Sequence, residues 1–226
     1  MILRGVLFDL DGTLGDHDGS VATALTTWLP TVGLIADPGT IARWHEVTET
    51  HLAAWRRREI GYQEQRRRRL RDFGFDHAPE ALDEVFAGFL VEYEKAYRAY
   101  DDVPEALAAV AEAGLRTAVL TNGSAPQQRG KLARMGLADL GPVWTPDDLG
   151  MAKPDPGAFR GTIARWGLRP GEVLSVGDRH DLDVLAARAA GLRAVHLDRL
   201  GIGPEDEPHR IGSLRELVDH LNTSHP

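Results

Sequence analysis

The chain opens Met1-Ile2-Leu3-Arg4-Gly5-Val6-Leu7-Phe8-Asp9-Leu10-Asp11-Gly12-Thr13-Leu14, and the break inside that stretch decides the fold. Residues 2–8 are a short apolar run that stops abruptly at Asp9, Asp11 and Gly12. A run that short, bounded by a turn signal, predicts a buried strand rather than a helix. Asp9 and Asp11 lie two positions apart, so on extended backbone their side chains point the same way, roughly 6.5 Å apart. Carboxylates crowded onto one strand edge repel, and a divalent cation is the cheapest relief. Oxygen ligands without His or Cys favour Mg²⁺.

Outward from that strand the rhythm changes twice. Over residues 16–100, Ile41, Trp44, Thr48, Leu52 and Trp55 recur at helical spacing, as do Leu82, Val85, Phe86, Phe89, Tyr93 and Tyr97. No comparable strand signal appears there, so the block reads as all-helical. After residue 100 strands and helices alternate: a helix between Pro104 and Gly114, a strand Arg116–Leu120, a helix over 125–135 and another holding Phe159, Ile163 and Trp166. A strand Glu172–Val176, a helix from about 181 to Gly191, and a strand Arg193–Leu197 complete the pattern. Such alternation predicts an α/β fold with a Rossmann-like parallel sheet covered on both faces. The expected organisation is a core of residues 1–15 and 101–226, interrupted after its first strand by a helical insertion over 16–100.

In open parallel sheets ligands bind at the carboxyl ends of the strands. Three expected strands end in polar residues there: Asp9 and Asp11, then Thr121 and Asn122, then Asp178. Lys153, in the loop Ala152-Lys153-Pro154-Asp155-Pro156, can bring a compensating positive charge to the same edge; the chain has only three lysines against a large arginine excess.

Composition narrows the function classes. The 226 residues carry a net charge of -8 and 42% hydrophobic residues, an ordinary globular balance. An acidic chain with a pI near 5.6 argues against a general nucleic-acid binder. Zero cysteines exclude disulfides, thiolate metal sites and a cysteine nucleophile. No apolar stretch approaches the ~20 residues of a membrane span, and Asp9 and Asp11 interrupt any signal-like start. The expected location is cytoplasmic; oligomeric state is not legible.

Taken in order, Asp9-Leu10-Asp11-Gly12-Thr13-Leu14, Thr121-Asn122-Gly123, Lys153-Pro154, and Gly177-Asp178 with Asp183 resemble the four motifs of the haloacid dehalogenase-like (HAD) hydrolase superfamily. The insertion point resembles that of the subclass with a helical type 1 cap. The resemblance implies Asp9 as the nucleophile that forms an aspartyl-phosphate, and Asp11 as general acid and then base. It implies Thr121 and the Asn122 amide as phosphate ligands, and Lys153 as the neutralising cation. Mg²⁺ would be held by Asp9, the Asp11 backbone carbonyl, Asp178 and Asp183. The implied activity is a phosphatase on a small phosphorylated metabolite, with neither nucleic acid nor membrane as partner. Dehalogenases of the superfamily lack the second aspartate of the first motif, which is present here as Asp11. A sugar-phosphate mutase is the alternative, though many of those place Val where this chain has Thr13. A non-catalytic binding protein is a third reading, and no motif acid is lost to support it. Gly15, Arg179 and Thr145-Pro146-Asp147-Asp148 depart from the usual pattern without removing a catalytic group.

Three features have a plainer reading beside the functional one. Arg56, Arg57, Arg58, Arg66, Arg67, Arg68, Arg69 and Arg71 crowd one part of the insertion. They read either as a solvated helix face or as a run in which one or two arginines steer an anionic substrate. Trp28, Trp44, Trp55 and Phe86 read as core rather than as a stacking platform for bases. His180 reads as a surface histidine at a helix start rather than a metal ligand.

Overall fold

A computed structural model describes residues 2–221; the expected core beyond 221 lies outside the described residues. Six strands form one sheet: β1 (Gly5–Phe8), β2 (Arg116–Leu120), β3 (Val143–Trp144), β4 (Val173–Gly177), β5 (Arg193–Leu197) and β6 (Arg210–Ile211). Their order is β3-β2-β1-β4-β5-β6, every neighbouring pair parallel. The fold is α/β and Rossmann-like. Because β1 is central and buried on both faces, its run is continuously apolar rather than alternating. Val6 and Phe8 pack into one apolar layer with Val103, Val110 and Leu214, while Leu7 packs into the opposite layer with Phe159, Ile163 and Val184.

The chain divides into two compact units, one of residues up to Asp16 and from Arg98 on, the other His17–Tyr97. The second holds α1 (His17–Trp28), α2 (Pro38–Arg56), α3 (Tyr62–Phe73) and α4 (Pro79–Lys95). Proline stands in the first turn of α2 and α4, where its missing N–H costs nothing, and the Asp37 side chain caps α2 by accepting from Thr40 N at 2.9 Å. Trp44 is the centre of this unit's core, with ring centroids 4.8 Å from Phe89, 5.1 Å from Phe73 and 5.5 Å from Trp28. Trp28, Trp44 and Phe86 are therefore core side chains; Trp55 is only partly buried and packs on Tyr62.

The sheet unit continues with α5 (Val103–Glu112), α6 (Ala125–Arg134), α7 (Pro146–Leu149), α8 (Pro156–Trp166), α9 (Ala186–Ala189) and α10 (Val218–Leu221). Several sequence expectations need correction. β1 begins at Gly5 rather than residue 2, and Glu172 belongs to a 3₁₀ turn before β4. Tyr97 lies beyond the end of α4. The expected helix from 181 is a π-helical turn, His180–Leu185, running into α9. β3 and β6, two residues each, are too short for any periodicity to announce them. Thr145 to Asp148 form a capping box that starts α7, which explains that unusual stretch structurally.

A largely buried ion pair fixes the loop after β1 within the sheet unit. Arg199 meets Asp102 with both guanidinium branches, at 2.7 and 3.0 Å, and its Nη2 also donates to the Thr13 carbonyl at 2.9 Å. Asp102 further accepts from Ser213 Oγ and Leu214 N. Although burial opposes it, these partners hold the Asp102 carboxyl below the usual carboxylate range. Arg199→Met leaves that carboxylate buried without its cation. It is expected to cost about 3 kcal/mol and lower the thermal midpoint by roughly 5–10 °C, checked by calorimetry. Among the described residues no helix is long and apolar enough to cross a membrane.

Candidate active site

Since β1 lies between β2 and β4, the residues that follow these three strands share one edge of the sheet. The register sets Phe8 opposite Val119 and Val176, so Asp9, Thr121 and Asp178 emerge side by side. Asp9 N still donates to the Val176 carbonyl, at 2.9 Å, which fixes the start of the turn. The chain then folds back through Gly12, at φ +90, where a Cβ would stand 2.4 Å from Asp178 Oδ2. Only glycine fits both that backbone and that approach. Thr13 completes the turn: its Oγ1 accepts from Asp178 N at 3.1 Å.

Lys153 is buried, 3% exposed, and its Nζ bridges Asp9 Oδ1 at 2.6 Å and Asp183 Oδ1 at 2.5 Å. Burial works against the ammonium, but the Asp183 and Asp9 carboxylates outweigh it and raise the lysine above its ordinary value. The two hydrogen bonds of the Asn122 side chain to the Lys153 backbone, both 2.9 Å, hold the loop there. Asn122 thus serves as a clamp on the lysine loop through its side chain. Asp9, Asp178 and Asp183 offer carboxylate oxygens all within 4.8 Å of one another. Burial is the main reason Asp9 is raised to about 6, Lys153 pulling the other way and Asp183 adding to the rise. Burial again, followed by Asp9 and Asp183, raises Asp178 to about 8.

Asp11 is not part of that carboxylate group. Its side chain is held by α6: Lys131 Nζ donates to both oxygens, at 2.6 and 2.8 Å, and Gln128 Nε2 donates to one at 3.0 Å. The same Gln128 amide donates to Thr121 Oγ1 at 2.7 Å and to the Asn122 carbonyl at 3.0 Å. Gln128 and Lys131 are three apart on one helix face and nearly fully buried, so one turn of α6 fastens Asp11 to the end of β2.

The structure therefore gathers Asp9, Asp11, Thr121, Asn122, Lys153, Asp178 and Asp183 at one edge. The sequence reading missed Gln128 and Lys131. The scarcity of lysine that drew attention to Lys153 applies equally to Lys131, and both of these lysines sit on acids of the site. His180 is not a free surface group: it meets Glu207 at 3.0 Å with its side chain only 23% exposed. Arg179 lies 3.7 Å from Asp181 and is well exposed.

The donor set suits a hard divalent cation. All three clustered ligands are carboxylates, as Mg²⁺ prefers. Three carboxylates face one ammonium, and the surplus of two negative charges is what a divalent ion would cancel. Burial is the main cause of the raised values of Asp9 and Asp178, and the neighbouring carboxylates add to it.

A parallel sheet with a buried aspartate at the end of its central strand, a lysine upon it and two further carboxylates beside it fits a hydrolase site. A family model described as haloacid dehalogenase-like hydrolase matches residues 3–191. The chain belongs to the haloacid dehalogenase-like hydrolase family. Phosphoserine phosphatase of Thermus thermophilus is 43% identical over 148 residues, 62% of this chain and 57% of that relative, little more than half the relative's length. N-acetylmuramic acid 6-phosphate phosphatase of Pseudomonas aeruginosa is 30% identical over 98% of this chain and 96% of its own. (S)-2-haloacid dehalogenase 1 of a Pseudomonas species is 29% identical over 97% and 96%. A HAD hydrolase of Bacillus subtilis, solved bound to magnesium, shares the fold with a TM-score of 0.84 at 20% identity, over 99% of this chain and all of that one.

Proposed function

We propose that the chain is a Mg²⁺-dependent phosphatase of the cytoplasm, which hydrolyses a small soluble phosphomonoester through a phospho-aspartyl intermediate on Asp9. The single observation that carries the reading is the site's division of labour. Asp9 sits among Lys153, Asp178 and Asp183, while Asp11 is held apart by Lys131 and Gln128. Two carboxylates in different surroundings can take different roles. Relatives named for phosphoserine and N-acetylmuramic acid 6-phosphate support phosphorus as the target. The presence of Asp11 and the acidic group around Asp178 support phosphorus over a carbon–halogen bond.

In this reading an Asp9 oxygen attacks phosphorus as the ester bond to the leaving oxygen breaks, and Asp11 gives that oxygen a proton. Asp11, now a carboxylate, takes a proton from water, whose oxygen attacks phosphorus; inorganic phosphate leaves and Asp9 is restored. Thr121 and the Asn122 amide hold phosphoryl oxygens, and Lys153 offsets their charge. Asp9, Asp178, Asp183 and the Asp11 carbonyl would hold Mg²⁺, which supplies charge neutralisation at the phosphoryl group. By its resemblance to the helical type 1 cap, the helical unit His17–Tyr97 would choose the leaving group.

The test is phosphate release from a panel of sugar phosphates, nucleotides, phosphoglycolate and an aryl phosphate, with Mg²⁺ and with chelator. Release that needs Mg²⁺ supports the phosphatase. Conversion of a sugar phosphate to its isomer without phosphate release would replace it with a mutase. Lys131→Met probes the placement of Asp11. It is expected to lower kcat by roughly 10–100-fold on alkyl phosphates and less on an aryl phosphate, whose leaving oxygen needs little protonation.

The raised acids also set a pH dependence. A carboxyl whose folded pKa exceeds its unfolded value stabilises the fold least when ionised. Asp9 and Asp178, raised to about 6 and about 8, therefore make the metal-free protein less stable as pH rises from about 4 to 8. The acids with lowered values, among them Glu207 and Glu172 near 2, act below that window. Thermal midpoints in chelator are expected to fall from pH 5.5 to 8.5, and added Mg²⁺ to flatten the slope.

A further inference from the structure

Asp178 stands one residue past the end of β4, where the sheet ladder no longer holds the chain. Side chains of the sheet unit take up its backbone polar groups instead. Its N–H donates to Thr13 Oγ1 at 3.1 Å, and its carbonyl lies 3.0 Å from His196 Nε2. A carbonyl only accepts, so His196 Nε2 carries the hydrogen and donates it. His196 belongs to β5, paired in register with Gly177, and is 3% exposed.

Nothing in β5 itself asks for a histidine there. Its neighbours Ala194, Val195 and Leu197 are apolar and buried. Among the described residues the bond to the Asp178 carbonyl is the ring's only hydrogen bond, and Nδ1 is buried with no partner. A fold normally satisfies its buried polar atoms, and one left unpaired destabilises it. The ring is thus kept in an apolar strand, at a cost, for one contact, and that contact is to an acid of the site.

The surroundings hold the ring to that contact. Ile202 N and Gly203 N donate to the Asp198 carboxylate at 3.1 and 2.9 Å, which folds the loop after β5 over the imidazole. A Cβ on Gly203 would stand 2.4 Å from His196 Cε1. The His180 ring also lies against it, with centroids 5.2 Å apart. His180 is fixed in turn by Glu207, at 3.0 Å, which both guanidinium branches of Arg188 grip at 2.6 and 2.8 Å. His180 opens the π-helical turn between Asp178 and Asp183, and Arg179 N donates to Asp183 Oδ2 at 3.1 Å. One short segment therefore carries both acids, held at its start by His196 and two residues on by His180.

We propose that His196, braced by His180 and Gly203, is a positioning residue for the proposed Mg²⁺ site. With the N–H and the carbonyl of Asp178 both held, its Cα–Cβ bond has a fixed direction, and the carboxylate is preorganised beside those of Asp9 and Asp183. The role rests on the Mg²⁺-dependent phosphatase reading, since a cation held by Asp178 is what the fixed direction serves.

The experiment is Mg²⁺ binding without substrate, followed by titration calorimetry on wild type, His196→Leu and His196→Gln. Leucine removes the donor, whereas the glutamine amide carries an N–H of similar reach. The Kd for Mg²⁺ is expected to rise about 10–100-fold in His196→Leu and less than about fourfold in His196→Gln. The Mg²⁺ concentration for half-maximal phosphate release is expected to rise in parallel, while KM for the ester at saturating Mg²⁺ stays within about twofold of wild type. A merely structural histidine would lower the thermal midpoint in chelator and leave the Mg²⁺ constant alone. An unchanged Kd in His196→Leu, or an equal loss in both variants, would overturn the role.

Should His196→Leu fail to fold, Gly203→Ala replaces it, because its methyl group has to displace the imidazole. A Kd raised severalfold supports the role, and a Kd equal to that of wild type overturns it. Wild type that takes up no Mg²⁺ overturns it as well. Wild type that binds Mg²⁺ and releases no phosphate from any ester removes the phosphatase reading alone, and the calorimetric comparison of the variants then decides the role of His196 by itself.

Discussion

Asp9→Asn is expected to lower phosphate release by at least about 10⁴-fold while the protein stays folded. The substitution is nearly isosteric, and the amide oxygen can still accept from Lys153 Nζ, which now lies 2.6 Å from Asp9 Oδ1. What it removes is the charge and, in the proposed reaction, the attacking oxygen. Burial and the neighbouring Asp183 already penalise that charge, so its loss relieves repulsion in the metal-free protein. The thermal midpoint in chelator is therefore expected to hold or rise. An inactive but equally stable variant separates chemistry from folding; release within tenfold of wild type would show that another group attacks phosphorus.

Lys153→Met has the second-largest expected effect. The lysine is the ammonium shared by Asp9 and Asp183, and both acids are buried. Its backbone is gripped by Asn122 through groups that the substitution leaves in place, so the loop keeps its position and the change is one of charge. Without the ammonium, the developing charge on the phosphoryl oxygens loses a preorganised partner, and kcat/KM is expected to fall roughly 10³-fold. The three carboxylates also lose their internal cation. The thermal midpoint in chelator is expected to fall by several degrees, more at pH 8 than at pH 5.5, because protonation of the acids at low pH removes the repulsion. Kinetics and melting curves on one preparation check both halves, and activity within tenfold of wild type would count against the role.

Much of this site was legible because its acids close short apolar strands. The break at Asp9 located the central strand, and the strand ends at Thr121 and Asp178 followed from the same logic. Spacing also found α2 and α4: α4 buries Leu82, Phe86, Phe89 and Tyr93 at helical intervals, whereas α2 fully buries Trp44 alone. What stayed hidden was set by tertiary contacts. Gln128 and Lys131 look like ordinary polar helix residues until α6 packs beside the end of β2. The Asn122 side chain could not be assigned to the lysine loop from sequence, since the two are 31 positions apart. The arginine run shows the same limit. Eight similar residues differ only in which neighbours they meet, and nothing in the spacing singles out Arg69, which is stacked and buried while Arg67 and Arg68 pair at the surface. β3 and β6 were missed because two residues display no period.

The measurement that bears most directly on Asp9 as a phosphoryl acceptor is turnover in ¹⁸O-labelled water, followed by mass spectrometry of both product and protein. If water attacks phosphorus of a phospho-aspartyl group, one labelled oxygen appears in each inorganic phosphate and the peptide containing Asp9 stays unlabelled. Label accumulating in the Asp9 carboxyl would mean that water attacks the carbonyl carbon of an ester on Asp9, and phosphoryl transfer would give way to chemistry at carbon.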